Sequence, residues 1–167
     1  KKLKKEVDFV IVRCGYGQNY KSQDDRKYEE YITGCRDNNI PYGIYLYAHA
    51  NTVDKAKSEG NHALRLVKKC RDWNTEPTLP IFYDMEDADQ RPTSAALKGK
   101  IAKAFCDILE KAGYKTGVYA NLNWWNNYLT DKYFNNTIKW VAQYNSSCKY
   151  KKSYAIWQCT SVAKISG

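Results

Sequence analysis

The sequence predicts an α/β protein built on a parallel sheet, and three observations predict it. Short β-branched or aromatic runs alternate with helical patterns four times before the chain turns to bare strands. The run from Leu79 to Tyr83 is apolar, as a buried strand covered by helices is. The chain has 167 residues, 43% of them hydrophobic, which suits one domain (1–167) with a real core.

The elements follow in order. "DFVIVRCGYG" (Asp8–Gly17) reads as a strand stopped by glycines. Asp24 or Asp25 is positioned to cap a helix carrying Tyr28, Tyr31, Ile32 and Cys35 on one face. "PYGIYLYAHA" (Pro41–Ala50) is a second strand. Thr52 caps a helix whose inner face holds Ala56, Ala63, Leu64 and Val67, leaving His62 outside. "LPIFYDMED" (Leu79–Asp87) is the third strand. Thr93 or Ser94 starts the clearest helix, where Leu97, Ile101, Ala104, Phe105, Ile108, Leu109 and Ala112 keep three-and-four spacing before Gly113. "KTGVYAN" (Lys115–Asn121) is the fourth strand, followed by a short aromatic helix around "NWWNNYL". "KWVAQYN" and "YAIWQCTS" are the last two strands, read as a hairpin. A (β/α) barrel and a doubly wound sheet both fit. "GYGQN" is not G-x-G-x-x-G and opens no helix, which counts against nucleotide binding.

The six cysteines include no C-x-x-C pair, and only two histidines accompany them, so neither a metal site nor a cofactor is expected. They are expected to be mainly free, with Cys148 and Cys159 the one pair close enough in the proposed hairpin to watch. The formal net charge of +9 favours an anionic partner or surface. Its lysines and arginines are spread along the chain rather than gathered with aromatics, against a nucleic-acid binder. The lysines at 1, 2, 4 and 5 carry little information. No apolar run is long enough for membrane insertion.

The chemistry concentrates at the end of the third strand. Asp84 and Glu86 are two residues apart, so they share a face. In parallel α/β barrels the C-terminal strand ends hold the active site. Two carboxylates there can have their affinities for protons pushed apart, one serving as acid and the other as anion, the division that glycoside hydrolysis needs. Against this stands a plain reading in which the acids cap the next helix, and Asp87 and Asp89 are assigned to it. On spacing alone the two readings are level for Asp84 and Glu86.

Taken in order, "DFVIVRCGYG", "PYGIYLYAHA", "LPIFYDMED", "KTGVYANLNWWNNYL", "KWVAQYN" and "YAIWQCTS" resemble glycoside hydrolase family 25, the Chalaropsis-type lysozymes or muramidases. The resemblance spans nearly the whole chain. It implies a TIM-like, flattened (β/α)5β3 barrel. It implies cleavage of the β-1,4 bond between N-acetylmuramic acid and N-acetylglucosamine in bacterial peptidoglycan. Glu86 matches the family's acid and Asp84 its partner carboxylate. Asp84 either orients the substrate's 2-acetamido group for a retaining, substrate-assisted route or serves an inverting attack by water. The family's first strand, with a G-I-D-V-S-like motif, and its last, with V-D-x-N, have no counterpart here, so the barrel is expected to be incomplete at both termini. "KKLKKEVDF" resembles the helix after that first strand, and Ile165–Gly167 the I-S-G before the last.

Further site candidates follow. Arg13 matches a position where the family places Arg or Lys facing the cleft. Tyr47, Tyr119 and Asn121 sit at strand C-termini. Trp124 or Trp125, Trp125 in particular, offers an indole for stacking on a sugar ring. Gln143, Tyr144, Trp157 and Gln158 match the late-strand motifs. His49 has no assigned role. The resemblance implies a monomer acting on the cell wall, secreted or released by phage lysis. A non-catalytic glycan-binding module on the same barrel is the alternative.

Overall fold

The computed structural model describes residues 3–164; Lys1, Lys2 and the Ile165–Gly167 tripeptide lie outside the described residues. Six strands form one parallel sheet: β1 (Val10–Tyr16), β2 (Tyr42–Tyr47), β3 (Ile81–Asp84), β4 (Thr116–Asn121), β5 (Ile138–Ala142) and β6 (Ile156–Gln158). Each strand pairs with the one before it, in the order β1-β2-β3-β4-β5-β6. A doubly wound sheet would reverse direction at a switch point. This monotonic order instead curls into a half-barrel with helices on its convex side.

The helices are α1 (Tyr28–Asp37), α2 (Val53–Asp72), α3 (Ala95–Lys111) and α4 (Leu122–Asn127). Thr52 Oγ1 accepts from Lys55 N at 3.3 Å and Ser94 Oγ from Leu97 N at 3.2 Å, satisfying amides that a helix start leaves unpaired. Gly113 ends α3 with φ of 91°, a conformation that costs glycine little. α2 and α3 pack closely at Gly60, where an added Cβ would stand 2.9 Å from Ile108 Cδ1.

Strand alternation sorts the side chains. Ile44, Leu46, Ile81, Tyr83 and Val118 are buried on the convex side under the helices, with Tyr83 stacked on Phe105 of α3 at 4.0 Å between ring centroids. The concave face is aromatic. Trp140 sits at its centre, with ring centroids 5.4 Å from Phe82, 4.6 Å from Tyr119 and 6.2 Å from Tyr45.

Four expectations need correction. Neither Asp24 nor Asp25 is the α1 N-cap: that position is Lys27, and Asp25 Oδ1 accepts from Lys27 N at 2.9 Å one turn earlier. Tyr31 is exposed, because it lies at the border of the stripe formed by Tyr28, Ile32 and Cys35. β5 and β6 are not a hairpin but parallel neighbours, Trp140 opposite Ile156 and Ala142 opposite Gln158. The intervening chain loops back to the start of the sheet before entering β6. His62 is not exposed; it is wholly buried on the inner face of α2.

All six cysteines are free thiols, four of them buried. Thiol titration of the unfolded, unreduced chain is expected to count six reactive groups; a count of four would mean that Cys148 and Cys159 pair in solution.

Candidate active site

The register of the sheet assembles the site. Asp84 at the end of β3 lies opposite Tyr47 of β2 and Tyr119 of β4. Aligned residues of a parallel sheet point to the same face, so these three side chains form one row at the C-terminal rim of the concavity. Two residues further, Glu86 leaves the strand on the same side, and Asn121 closes the row from β4.

Asn121 performs two tasks. Its Oδ1 accepts from Trp124 N at 3.1 Å and caps α4. That bond turns Nδ2 towards Glu86, to whose Oε2 it donates at 2.9 Å. Glu86 is half-buried, whereas Asp84 is only 5% exposed. Asp84 Oδ1 has no hydrogen-bond partner. Burial, and then the charge of Glu86, push the Asp84 carboxyl up to about 8. Near neutrality the buried carboxyl therefore holds a proton.

Asp87 belongs to the rim as well as to the next turn. Its Oδ1 accepts from Asp89 N at 2.9 Å, as the capping reading expects. Its Oδ2 accepts from Tyr47 Oη at 3.2 Å and lies 3.1 Å from His49 Nδ1. Burial raises the Tyr47 phenol, helped by the Asp87 charge.

Beneath the rim is a carboxylate that sequence reasoning missed. Glu59 of α2 is fully buried and accepts from His49 N at 2.9 Å and from the Tyr83 hydroxyl. Burial raises it to about 7 against those bonds. His62, from the same helix, lies 3.0 Å by Nδ1 from Gly17 O and 2.9 Å by Nε2 from Asp24 Oδ1. Burial pushes Asp24 up, but the bonds from Arg65 and His62 outweigh it and leave the carboxyl below its ordinary value. The signal for both was present: Glu59 follows Ala56 by three and His62 precedes Leu66 by four, placing them on the buried stripe.

The other candidates divide. Arg13 donates through Nε to Asp25 Oδ2 at 2.7 Å, an ion pair with the arginine half exposed. Tyr144 is exposed on the β6 side of the rim, and Gln158 Nε2 lies 3.5 Å from its hydroxyl. Gln143 is spent on its own loop, accepting from Lys149 N at 2.6 Å. Trp157 pairs in register with Val141, whose side chain is on the convex side, and its indole donates to Gln143 O at 2.9 Å. Trp124 and Trp125 are each 2% exposed and cannot serve as a sugar platform. Trp125 faces Phe134 and Tyr150 and donates to Trp140 O at 3.2 Å; α4 lies on the convex side, so its apolar face turns to the core. Among the described residues no group of three or more His, Cys, Asp or Glu is arranged to hold a metal ion, and no helix is long and apolar enough to cross a membrane.

Comparison with known proteins bears on this arrangement. A search of curated proteins finds no match. Among solved structures, the modular autolysin LytC of Streptococcus pneumoniae, determined with a synthetic peptidoglycan ligand, superposes with a TM-score of 0.84 at 27% identity. The match covers 98% of this chain but 39% of the autolysin, so this chain spans about two fifths of that protein's length. The catalytic domain of endolysin ply40, from bacteriophage P40 of Listeria monocytogenes, gives 0.85 at 29% identity, over 99% of this chain and 79% of that one. A family 25 glycosyl hydrolase of Bacillus anthracis, at 20% identity and 0.81 over 99% of this chain and 75% of that one, shares the fold. The sequence profile described as "Glycosyl hydrolases family 25" matches residues 1–167. A half-barrel whose strands run in sequence order, with paired carboxyls on its C-terminal rim, is therefore one more representative of a known lineage: the chain belongs to glycosyl hydrolases family 25.

Proposed function

We propose that this chain is the catalytic domain of a peptidoglycan hydrolase, an N-acetylmuramidase that cleaves the β-1,4 bond between N-acetylmuramic acid and N-acetylglucosamine. The observation that carries the reading is the asymmetry of the pair: Asp84 buried with an unpartnered Oδ1, Glu86 accessible and held by Asn121. Near neutrality the Asp84 carboxyl carries a proton. In the empty cleft burial keeps it on Asp84.

A bound glycan changes the balance. The sugar displaces water from Glu86, and its acetamido N–H offers Asp84 Oδ1 the donor it lacks. The new donor favours the charged form of Asp84, whose proton passes to the neighbouring Glu86. Glu86 then protonates the departing glycosidic oxygen as general acid while the acetamido oxygen, held by Asp84, bonds the anomeric carbon; Glu86 next takes a proton from the water that opens this ring, which restores the acid and frees the new reducing end. Tyr47, Tyr119 and Tyr144 line the approach, their rings offering apolar faces to pyranoses. The similarity to an autolysin solved with peptidoglycan and to a phage endolysin supports bacterial peptidoglycan as the partner, and a place of action at the cell wall, secreted or released at lysis.

Product analysis tests this reading. Digested walls, reduced with borohydride and hydrolysed, are expected to yield muramitol. Glucosaminitol instead would mean the other glycosidic bond is cut, and no new reducing ends would favour the glycan-binding alternative.

A further inference from the structure

Lysines scattered along the sequence converge in space at the end of the sheet opposite the carboxyls. A cavity of about 940 Å³ is lined by Lys100 and Lys103 of α3, Lys115, Lys132, Tyr114 and Tyr133. Its floor includes Thr116 and Ile138, the first residues of β4 and β5. The carboxyl rim lies at the other ends of these strands, roughly 15–20 Å away at about 3.3 Å per residue. A second concavity, about 470 Å³, shares Lys100 and Lys103 as its wall and adds Lys57 and Lys111. Lys100, Lys103 and Lys111 are spaced by three and by eight, so they form one stripe along α3, a helix with 1.5 Å rise per residue. The groove is therefore elongated, and cationic along its length.

Six lysines and three acids line the two concavities, so the acids offset the charge only in part and leave an excess of three positive charges. Asp107 is held by Lys103 at 2.6 Å. Glu110 accepts from the Thr116 hydroxyl at 2.5 Å, and Asp131 Oδ1 from Tyr133 N at 2.8 Å. Among the described residues no carboxylate lies within ion-pair distance of Lys100, Lys111, Lys115 or Lys132. Four ammonium groups without an ion-pair partner line one groove of net positive charge and repel each other, and a polyanion laid between them relieves that repulsion.

We propose that this groove is a second, non-catalytic binding site for an extended polyanion, the phosphodiester-linked polymer of the bacterial wall. The choice of wall polymer over other polyanions rests on the muramidase reading; the site itself rests on the convergence of charge. Because the two sites open at opposite ends of the sheet, anionic polymer and glycan bind together. Holding one raises the effective concentration of the other.

The test is binding of the chain to purified walls, with and without prior removal of their phosphodiester polymer, in parallel with release of reducing ends. Lys100→Glu/Lys115→Glu/Lys132→Glu is compared with Lys4→Glu/Lys5→Glu/Lys21→Glu, which changes net charge equally at exposed positions elsewhere; melting temperatures confirm that both fold. The parent is expected to bind polymer-bearing walls roughly tenfold more tightly than stripped walls, with the difference shrinking as salt is raised. The groove variant is expected to lose that difference and the control to keep it, while cleavage of a short soluble glycan is unchanged in both. Equal loss in both variants would show a net-charge effect and overturn the groove. Equal binding of bearing and stripped walls, or tighter binding to duplex DNA or anionic vesicles than to bearing walls, would overturn the partner. Retention of the groove without muramitol release would sink the catalytic reading and leave this one standing; the reverse would do the opposite.

Discussion

Glu86→Gln is expected to lower wall hydrolysis by roughly a hundredfold or more, the usual worth of a general acid. The substitution keeps the side chain's length and the acceptor that Asn121 Nδ2 addresses at 2.9 Å, so the row of rim residues is undisturbed. What is lost is the proton that must reach the leaving oxygen. Glycan binding is expected to persist, because Tyr47, Tyr119 and Asp84 are untouched. Melting temperature is expected to stay near that of the parent, since the position is half-buried and the replacement has the same size. Turbidity clearing, binding to purified glycan and thermal melting, measured on one preparation, check all three parts. A folded, glycan-binding Glu86→Gln protein that clears walls at the parent rate would remove Glu86 from the acid role.

Asp84→Asn is expected to move activity and stability in opposite directions. Turnover is expected to fall by roughly a hundredfold or more, because an amide supplies no negative charge to hold the acetamido group in the transition state. Stability has the other sign. The folded carboxyl sits at about 8, above the roughly 3.9 of an unfolded aspartate. Through that interval the folded chain therefore binds more protons than the unfolded one. The group's contribution is intact below about pH 4 and is lost progressively as pH rises towards about 8. Asparagine removes this dependence. The variant is expected to match the parent near pH 4 and exceed it, on the order of a few kcal/mol, near pH 8. Glu59, raised to about 7, adds a slope of the same sign to both proteins and cancels in the difference. Denaturant melts across that pH range test the point; parallel curves for parent and variant would mean that Asp84 is not buried as a neutral acid.

The strands and the shared side of Asp84 and Glu86 were legible because they depend on local patterns: apolar runs of strand length, glycine stops, and the two-residue period of a strand. The motif resemblance decided between a barrel and a doubly wound sheet, which alternation alone leaves open. Reading failed where polarity and burial part company. Glu59 and His62 lie on the inner stripe of α2, yet a polar residue on a helix is ordinarily placed outside. Trp124 and Trp125 failed in the reverse direction. Two adjacent indoles suggest a platform, but which side of α4 faces the core is set by the packing of Phe134 and Tyr150, distant in sequence. The late strands misled because the runs leave only eight residues between them, a hairpin-like gap, whereas the strands themselves end at Ala142 and begin at Ile156, leaving thirteen, long enough for a parallel return.

The double bonding of Asn121 has a thermal consequence. Its amide is oriented by the first turn of α4, a helix of six residues, and helices that short are marginal without tertiary support. Winding of that turn and polarisation of Glu86 are thus one event. Fraying at the start of α4 frees the amide to rotate and withdraws the donor from Glu86 while the sheet is still intact. Trp124 and Trp125, both buried, supply the tertiary support that keeps the turn wound, so the orientation of the Asn121 amide depends on how these two indoles pack.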